Sequence, residues 1–361
     1  MQILWRYLLR SYLQSFLLSV SAFVSVLIVS RFKEIARFAA LSGDWPKTGL
    51  FTLYQIPFIL PLAIPISALV ASYLLFQRLS KDFELVAFRA SGLGFRSLLF
   101  PPLAAAFFLA CFNLSCCADI APFSWRESKA LLYRETSANP LLLMQRQNLV
   151  KAKHAFLKME VSDEGKKAED FLMIAHNESN DRLNLVSAKT LRISKSKLIG
   201  TDFSILSHLY SNDPEAFDPL ILENQAEMST AAPVLSAALN KNRPRLDLNS
   251  LSIRMLRLRC NETGKHALAA LREIIRRASL SLAAFSFTLL GCAFGMQAGR
   301  IPSKKGLAAV FCLATLTLIA YLSLKTLKVS PAASIGLASA PHLCIFYFAI
   351  ARIQSIAGGR I

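Results

Sequence analysis

Six stretches of this chain contain no Asp, Glu, Lys or Arg: 11–30, 49–77, 97–118, 278–298, 306–324 and 329–351. Each holds about 20 residues or more, the length at which an α-helix crosses a hydrocarbon core. Three lie before, and three after, a polar segment covering roughly 119–277. A chain patterned this way is expected to be an integral membrane protein with one sizeable water-exposed insertion. Composition agrees, with 54% hydrophobic residues against 18% charged, well away from an ordinary soluble domain. The net charge of +18 is compatible with nucleic acid, anionic lipid or an anionic substrate. Nucleic acid is the weaker reading, because much of the positive charge flanks spans. The first run is long and no small-residue cleavage site clearly follows it, so it is expected to be a retained span.

Sidedness follows from Lys and Arg in short loops. One side carries Arg6, Arg10, Arg78, Lys81, Arg89, Arg96, Arg300, Lys304, Lys305, Arg352 and Arg360. The other carries Arg31, Lys33, Arg37, Lys47, Lys325 and Lys328. Eleven against six places both termini in the cytoplasm and the central segment outside. The basic stretch 254–277 then falls on the outer side, where linkage to the inserted domain accommodates it.

Pro57, Pro61 and Pro65 recur every four residues in the second run. Each lacks an N–H, and in a membrane the freed carbonyls need partners on neighbouring helices or water. The result is either a kinked packed helix or one that bends during a transport cycle. Gly291, Gly295 and Gly299 form overlapping small-xxx-small patterns, expected to let helices pack closely within the chain. Of the seven cysteines, all but Cys260 fall in the expected spans. None has metal-site spacing or makes a disulfide framework, so they read as small packing residues.

The central segment changes period. Short alternating or β-branched runs at 148–161, 170–176, 182–194 and 197–209 are separated by turn-rich pieces. They read as an antiparallel sandwich or open barrel. From about 213 to 249 the signal fades into Pro, Asn and Ser, compatible with edge strands and a returning linker; 244–277 is then largely helical.

Catalytic motifs are missing. Gly264-Lys265 is followed by His266 and lacks the leading glycine of a phosphate loop. The histidines are scattered, and His342, beside Pro341 in the last run, reads as a packed polar residue. No charge-free run holds an acid for a proton pathway. Asp119 and Glu127 lie outside the third run, where carboxylates solvate a helix end. The chain is expected not to be an enzyme and to need no cofactor or metal, any energy coming from a partner.

The first inner loop, 77–94, reads as an amphipathic helix near 78–94, with Phe83, Val86, Ala87 and Ala90 in an apolar stripe and Ser91-Gly92 ending it. Such a helix suits docking on a soluble partner or rest on lipid headgroups.

Several matches along the chain resemble the LptF/LptG permeases (the YjgP/YjgQ family) of the lipopolysaccharide exporter. They are Arg6-Tyr-Leu-Leu-Arg-Ser-Tyr-Leu13 at the start, Glu84-Leu-Val-Ala-Phe-Arg-Ala-Ser-Gly92 in the loop, and Ala121-Pro-Phe-Ser124 after the third run. Asn139-Pro140 and the Gly- and Arg-rich turn 295–306 complete the set. The loop is the most specific, and Asn139-Pro140 leans toward the LptF branch. The resemblance implies an α+β membrane protein of six transmembrane helices (3+3), with a periplasmic β-jellyroll-like domain inserted between helices 3 and 4. Its parts would be 1–118 (with the coupling helix), 119–250 and 251–361.

The resemblance also implies a permease of an ATP-driven ABC transporter in the bacterial inner membrane, extracting lipopolysaccharide from the outer leaflet. Its partners would be a dimeric LptB-like ATPase, a second paralogous permease and an LptC-like protein leading to a periplasmic bridge. Glu84, Leu85, Arg89 and Gly92 would meet the ATPase, with Glu84 pairing with a basic side chain there. Arg31, Lys33, Arg37, Arg126, Lys325 and Lys328 would meet the phosphates and acidic sugars of lipopolysaccharide through charge-assisted hydrogen bonds; the plainer role for such residues is interfacial anchoring. A membrane-anchored scaffold would explain the layout but not the Glu84 loop, and a headgroup-modifying enzyme would need a catalytic cluster that is not found.

Overall fold

The computed structural model of the protein describes residues 2–138, 149–151, 155–162, 167–177, 182–194, 197–209, 221–231, 247–261, 264–296, 304–326 and 330–358. Lys328, Asn139, Pro140 and Arg300 lie outside the described residues. Helices α1 (Gln2–Ser30), α2 (Phe32–Ser42), α3 (Trp45–Lys81), α4 (Glu84–Ala90) and α5 (Phe95–Ser115) come first. A π turn, Cys116–Ile120, carries α5 into α6 (Ala121–Ala138). Six strands follow, then α7 (Ile253–Cys260), α8 (Lys265–Gly295), α9 (Lys304–Thr326) and α10 (Pro331–Ala357). Among the described residues six segments are long and apolar enough to cross a membrane, and the sheet is inserted between the third and fourth, giving the expected α+β architecture.

Contacts divide the chain into two compact units. One holds Met1–Lys33, Thr52–Glu127 and Leu246–Ile361, and the other Glu34–Phe51 and Ser128–Arg245. In the first, the most deeply buried span is α8, for a reason visible in its glycines. A Cβ on Gly291 would lie 2.0 Å from Ser72 Oγ and 2.7 Å from the Leu69 carbonyl oxygen. One on Gly295 would lie 2.7 Å from the Tyr73 carbonyl oxygen. The small-xxx-small pattern therefore seats α8 directly on the backbone of α3, as close packing within the chain requires. Leu8, Tyr12 and Phe16 of α1, Leu75 and Phe76 of α3, and Leu98 of α5 close one core around this contact.

Helix α3 runs through all three prolines. Pro65 has no N–H for the carbonyl of Pro61, and Asn113 supplies the donor instead. The Asn113 Nδ2 lies 3.2 Å from Pro61 O and 3.3 Å from Leu280 O, so one fully buried amide ties α3, α5 and α8 together. His342 does similar work between α10 and α8, with Nε2 3.0 Å from Ser279 Oγ and Nδ1 2.9 Å from Ser286 Oγ. The seven cysteines are free; Cys116, Cys117 and Cys292 pack inside, while Cys111, Cys312 and Cys344 are exposed.

The second unit holds α2, the start of α3, the end of α6 and the sheet. Phe38 stacks on Phe51 at 4.3 Å between centroids, and Lys47 bridges Asp44 and Glu135, each at 2.9 Å. The strands are β1 (Leu149–Lys151), β2 (Ala155–Ser162), β3 (Lys167–Asn177), β4 (Arg182–Ser194), β5 (Lys197–Leu209) and β6 (Ile221–Ala231). They form one antiparallel sheet in the order β1-β2-β3-β4-β5-β6, with Val186 opposite Ile205 in the central pair. Met159, Ala168, Phe171, Val186, Ala188 and Leu191 are its buried hydrophobic residues among those described. Strand β6 arises where the sequence signal fades, because Glu223, Asn224, Gln225 and Glu227 interrupt any apolar alternation.

Two expected boundaries differ. The helix of the third span does not end near 118 but continues through the π turn to Ala138, since nothing from Ala121 to Ala130 breaks a helix after Pro122. The loop helix is shorter than 78–94. Here α3 extends to Lys81, and Phe83 at φ 58° in the left-handed region breaks the path before α4 begins.

Candidate functional site

One end of the helical unit contains a cavity of about 320 Å³, near the lower limit for small-molecule pockets. It forms where the last turn of α1, the middle of α3, the π turn, the first turns of α8 and the end of α9 converge. Arg31 and Lys325 both line it. The Arg31 guanidinium lies 5.2 Å from the Phe58 ring centroid, over its face, in cation–π geometry. The other expected residues are placed differently. Lys33 is exposed and is not among the lining residues. Arg37 is exposed on α2 in the second unit. Arg126 is half-buried on α6, its Nε buried with no hydrogen-bond partner among the described residues.

The inner wall of the cavity holds charges the sequence reading passed over. Glu273, Arg276 and Arg277 lie on one face of α8 and are nearly buried, at 7%, 9% and 4% exposure. Arg276 grips Glu273 with two bonds, Nε to Oε2 at 2.8 Å and Nη2 to Oε1 at 2.6 Å. Arg277 Nε reaches the same Oε1 at 2.9 Å. The remaining donors of Arg277 go to backbone carbonyls: Cys117 in the π turn at 3.1 Å, Leu251 at 2.9 Å, Leu248 at 3.0 Å and Asn249 at 3.5 Å. Arg276 also donates to Asn249 Oδ1 at 3.3 Å and to the Tyr321 hydroxyl, its guanidinium over the Tyr321 ring.

Arg277 is thus a rivet with its donors consumed by the fold, whereas Arg276 presents a guanidinium at the cavity wall. Glu273 is the one acid among the described lining residues, against Arg31, Arg276, Arg277 and Lys325. The local formal charge is +4 − 1 = +3. A cavity with this balance of charge favours an anion over a cation. The signal that could have found it is Glu273-Ile-Ile-Arg276-Arg277, whose i,i+3 and i,i+4 spacing pairs one acid with two bases on a helix. The span count in sequence began after these residues, at Ala278.

At the other end of the unit lies the loop of α4. The Tyr7 hydroxyl donates to Glu84, 3.2 Å from Oε1 and 3.1 Å from Oε2. Leu85 is buried and joins the core of α1, α3 and α5, so it seats the helix. Arg89 lies over Phe95 at 4.7 Å and donates to Ala357 O at 3.4 Å, tying the loop to the end of α10. Gly92 takes φ +81° and closes α4, its N–H on Arg89 O at 3.0 Å; a side chain there would be strained. Phe83 and Val86 of the apolar stripe are exposed, at 56% and 60%, together with Ala87 and Ala90. The loop therefore offers an apolar ridge beside a carboxylate held, among the described residues, by the Tyr7 hydroxyl.

A family model described as lipopolysaccharide export system permease LptF/LptG matches residues 6–355. No curated protein matches the chain.

Proposed function

Because the chain belongs to the LptF/LptG family of lipopolysaccharide export permeases and is a multi-pass inner-membrane protein, we propose that it is the LptF-like subunit of an ATP-driven exporter. In this reading both termini are cytoplasmic and the inserted sheet is a periplasmic, jellyroll-like domain. The chain pairs with a second permease, an LptB-like ATPase dimer and an LptC-like protein, and it performs no hydrolysis itself.

The observation that carries the reading is the cavity with Arg31 and Lys325 on its wall. With the proposed topology it sits at the outer headgroup level, where the phosphates of a lipopolysaccharide anchor would meet guanidinium and ammonium donors. Lys33, two residues after Arg31, and Arg126 supply further positive charge in the same unit. The loop serves the ATPase. The ridge of Phe83 and Val86 fits an apolar groove on the partner, and Glu84 pairs with a basic side chain of that groove. One hydroxyl leaves a carboxylate with most of its acceptor capacity, so Tyr7 aims Glu84 without consuming it. Leu85 anchors α4 below, Gly92 shapes its exit, and Arg89 joins the contact from its tie to α10.

Purification from native membranes with an affinity tag, wild type beside Glu84→Ala, tests this. The expected result is recovery of an ATPase and a second permease with the wild type, and lipopolysaccharide release only when ATP is added. Glu84→Ala should express normally and release little. Recovery of the chain alone, in any detergent, would instead support a membrane-anchored scaffold.

A further inference from the structure

We propose that Arg276, held by Glu273, is a specificity-determining residue of the cavity: it contacts a phosphate monoester on the bound lipid and distinguishes phosphorylated from unphosphorylated substrate. This rests on the headgroup reading of the cavity and adds to it a residue inside the fourth span.

Three observations converge on Arg276. The first is charge. Glu273 faces two guanidiniums, so the buried trio carries a formal charge of +1. An uncompensated charge taken out of water is costly, and among the described lining residues no second acid balances it. An anion in the cavity would. The second is donor accounting. Arg277 spends its donors on Glu273 and four backbone carbonyls, whereas the partners of Arg276 are side chains that can rearrange: Glu273, Asn249 and Tyr321. The third is position. Arg276, Arg31 and Lys325 line one cavity from three different helices, so a tetrahedral anion can be met from several sides at once.

Glu273 is then a positioning residue. Its bidentate grip fixes the plane of the Arg276 guanidinium, and a planar array of charged donors suits a phosphate better than a sugar hydroxyl. Arg276 sits deeper in the protein than Arg31, which closes the end of α1, and is only 9% exposed. A phosphate reaching it is desolvated, so discrimination arises here more than at the exposed rim.

The experiment uses the full chain with its associated subunits, purified from native membranes into nanodiscs. Binding of bisphosphorylated lipid A is compared with binding of its dephosphorylated counterpart, with inorganic phosphate as a separate probe. Arg276→Gln leaves Glu273 paired with Arg277 and the trio neutral, which favours folding. It should weaken binding of the phosphorylated lipid by about tenfold or more, as expected for a lost charged hydrogen bond, and leave the dephosphorylated lipid unchanged. Arg276→Lys should recover part of the loss.

Equal losses for both lipids, or none for either, would overturn the proposal by making Arg276 structural or uninvolved. Arg31→Gln and Lys325→Gln separate it from the reading beneath it. If they erase the discrimination and Arg276→Gln does not, the headgroup reading stands and the role of Arg276 falls. If no variant changes discrimination, the headgroup reading falls too. Inorganic phosphate binding as tightly as the lipid would make the ligand a free anion and overturn the lipid assignment.

Discussion

The two ends of the helical unit hold their carboxylates in opposite ways. Glu273 is almost wholly buried, accepts from two arginines, and sits in a web reaching the π turn, the 248–251 segment and α9. Glu84 is touched by one hydroxyl on the exposed face of a seven-residue helix. The first arrangement is expensive to disturb because every member would be left unpaired in a dry interior. The second is cheap to disturb, as a contact made and released on each cycle of the proposed exporter would need to be. Under the proposed function, rigidity lies where substrate charge would be read, and looseness where a partner would dock.

The contrast can be broken from either end. The largest effect is expected for Glu273→Leu, which strands two guanidiniums. Removing one partner of a buried ion pair costs about 3–5 kcal/mol, enough to abolish folded, detergent-stable protein by size-exclusion profile. A normal profile would show that the web is not structural. Gly291→Ala comes next. Its methyl must displace Ser72 and the Leu69 backbone, and overpacking of this kind costs about 1–3 kcal/mol, read as a lowered Tm of the purified complex. Asn113→Leu should cost about 1 kcal/mol through the orphaned Pro61 carbonyl; an unchanged Tm would mean that α3 satisfies its proline gap by itself. Tyr7→Phe should change the Tm least, by less than about 0.5 kcal/mol, while lowering ATP-driven lipopolysaccharide release. A Tm loss as large as that of Asn113→Leu would erase the distinction drawn between the two ends.

The sequence made the spans plain because a charge-free run of membrane length has few alternative fates. It made the loop plain as well, since Phe83 and Val86 fall on one side of any helix drawn through them. The cavity was only half legible. Arg31 and Lys325 stood out by flanking apolar runs, but Arg276 and Arg277 looked like part of a basic linker because they precede the uncharged stretch. Their burial depends on residues brought from 117, 248–251 and 321, which no local window contains. Helix α6 escaped notice for a related reason: a π turn has no composition of its own, and Asp119 within it looked like the end of a span.

That turn governs more than one carbonyl. Five residues wound in the wider i→i+5 turn of a π-helix act as a phase shifter for the helix that follows. One residue is worth about 100° of rotation in an α-helix, so the turn decides which side of α6 looks inward. With it in place, Ser124 is buried and Trp125 meets Phe58 at 4.8 Å. A chain shortened by one residue between Cys116 and Ile120 would keep its composition and hydropathy yet dial α6 round by more than a quarter-turn. In this protein the angular setting of Ser124 and Trp125 is written in a single residue of length.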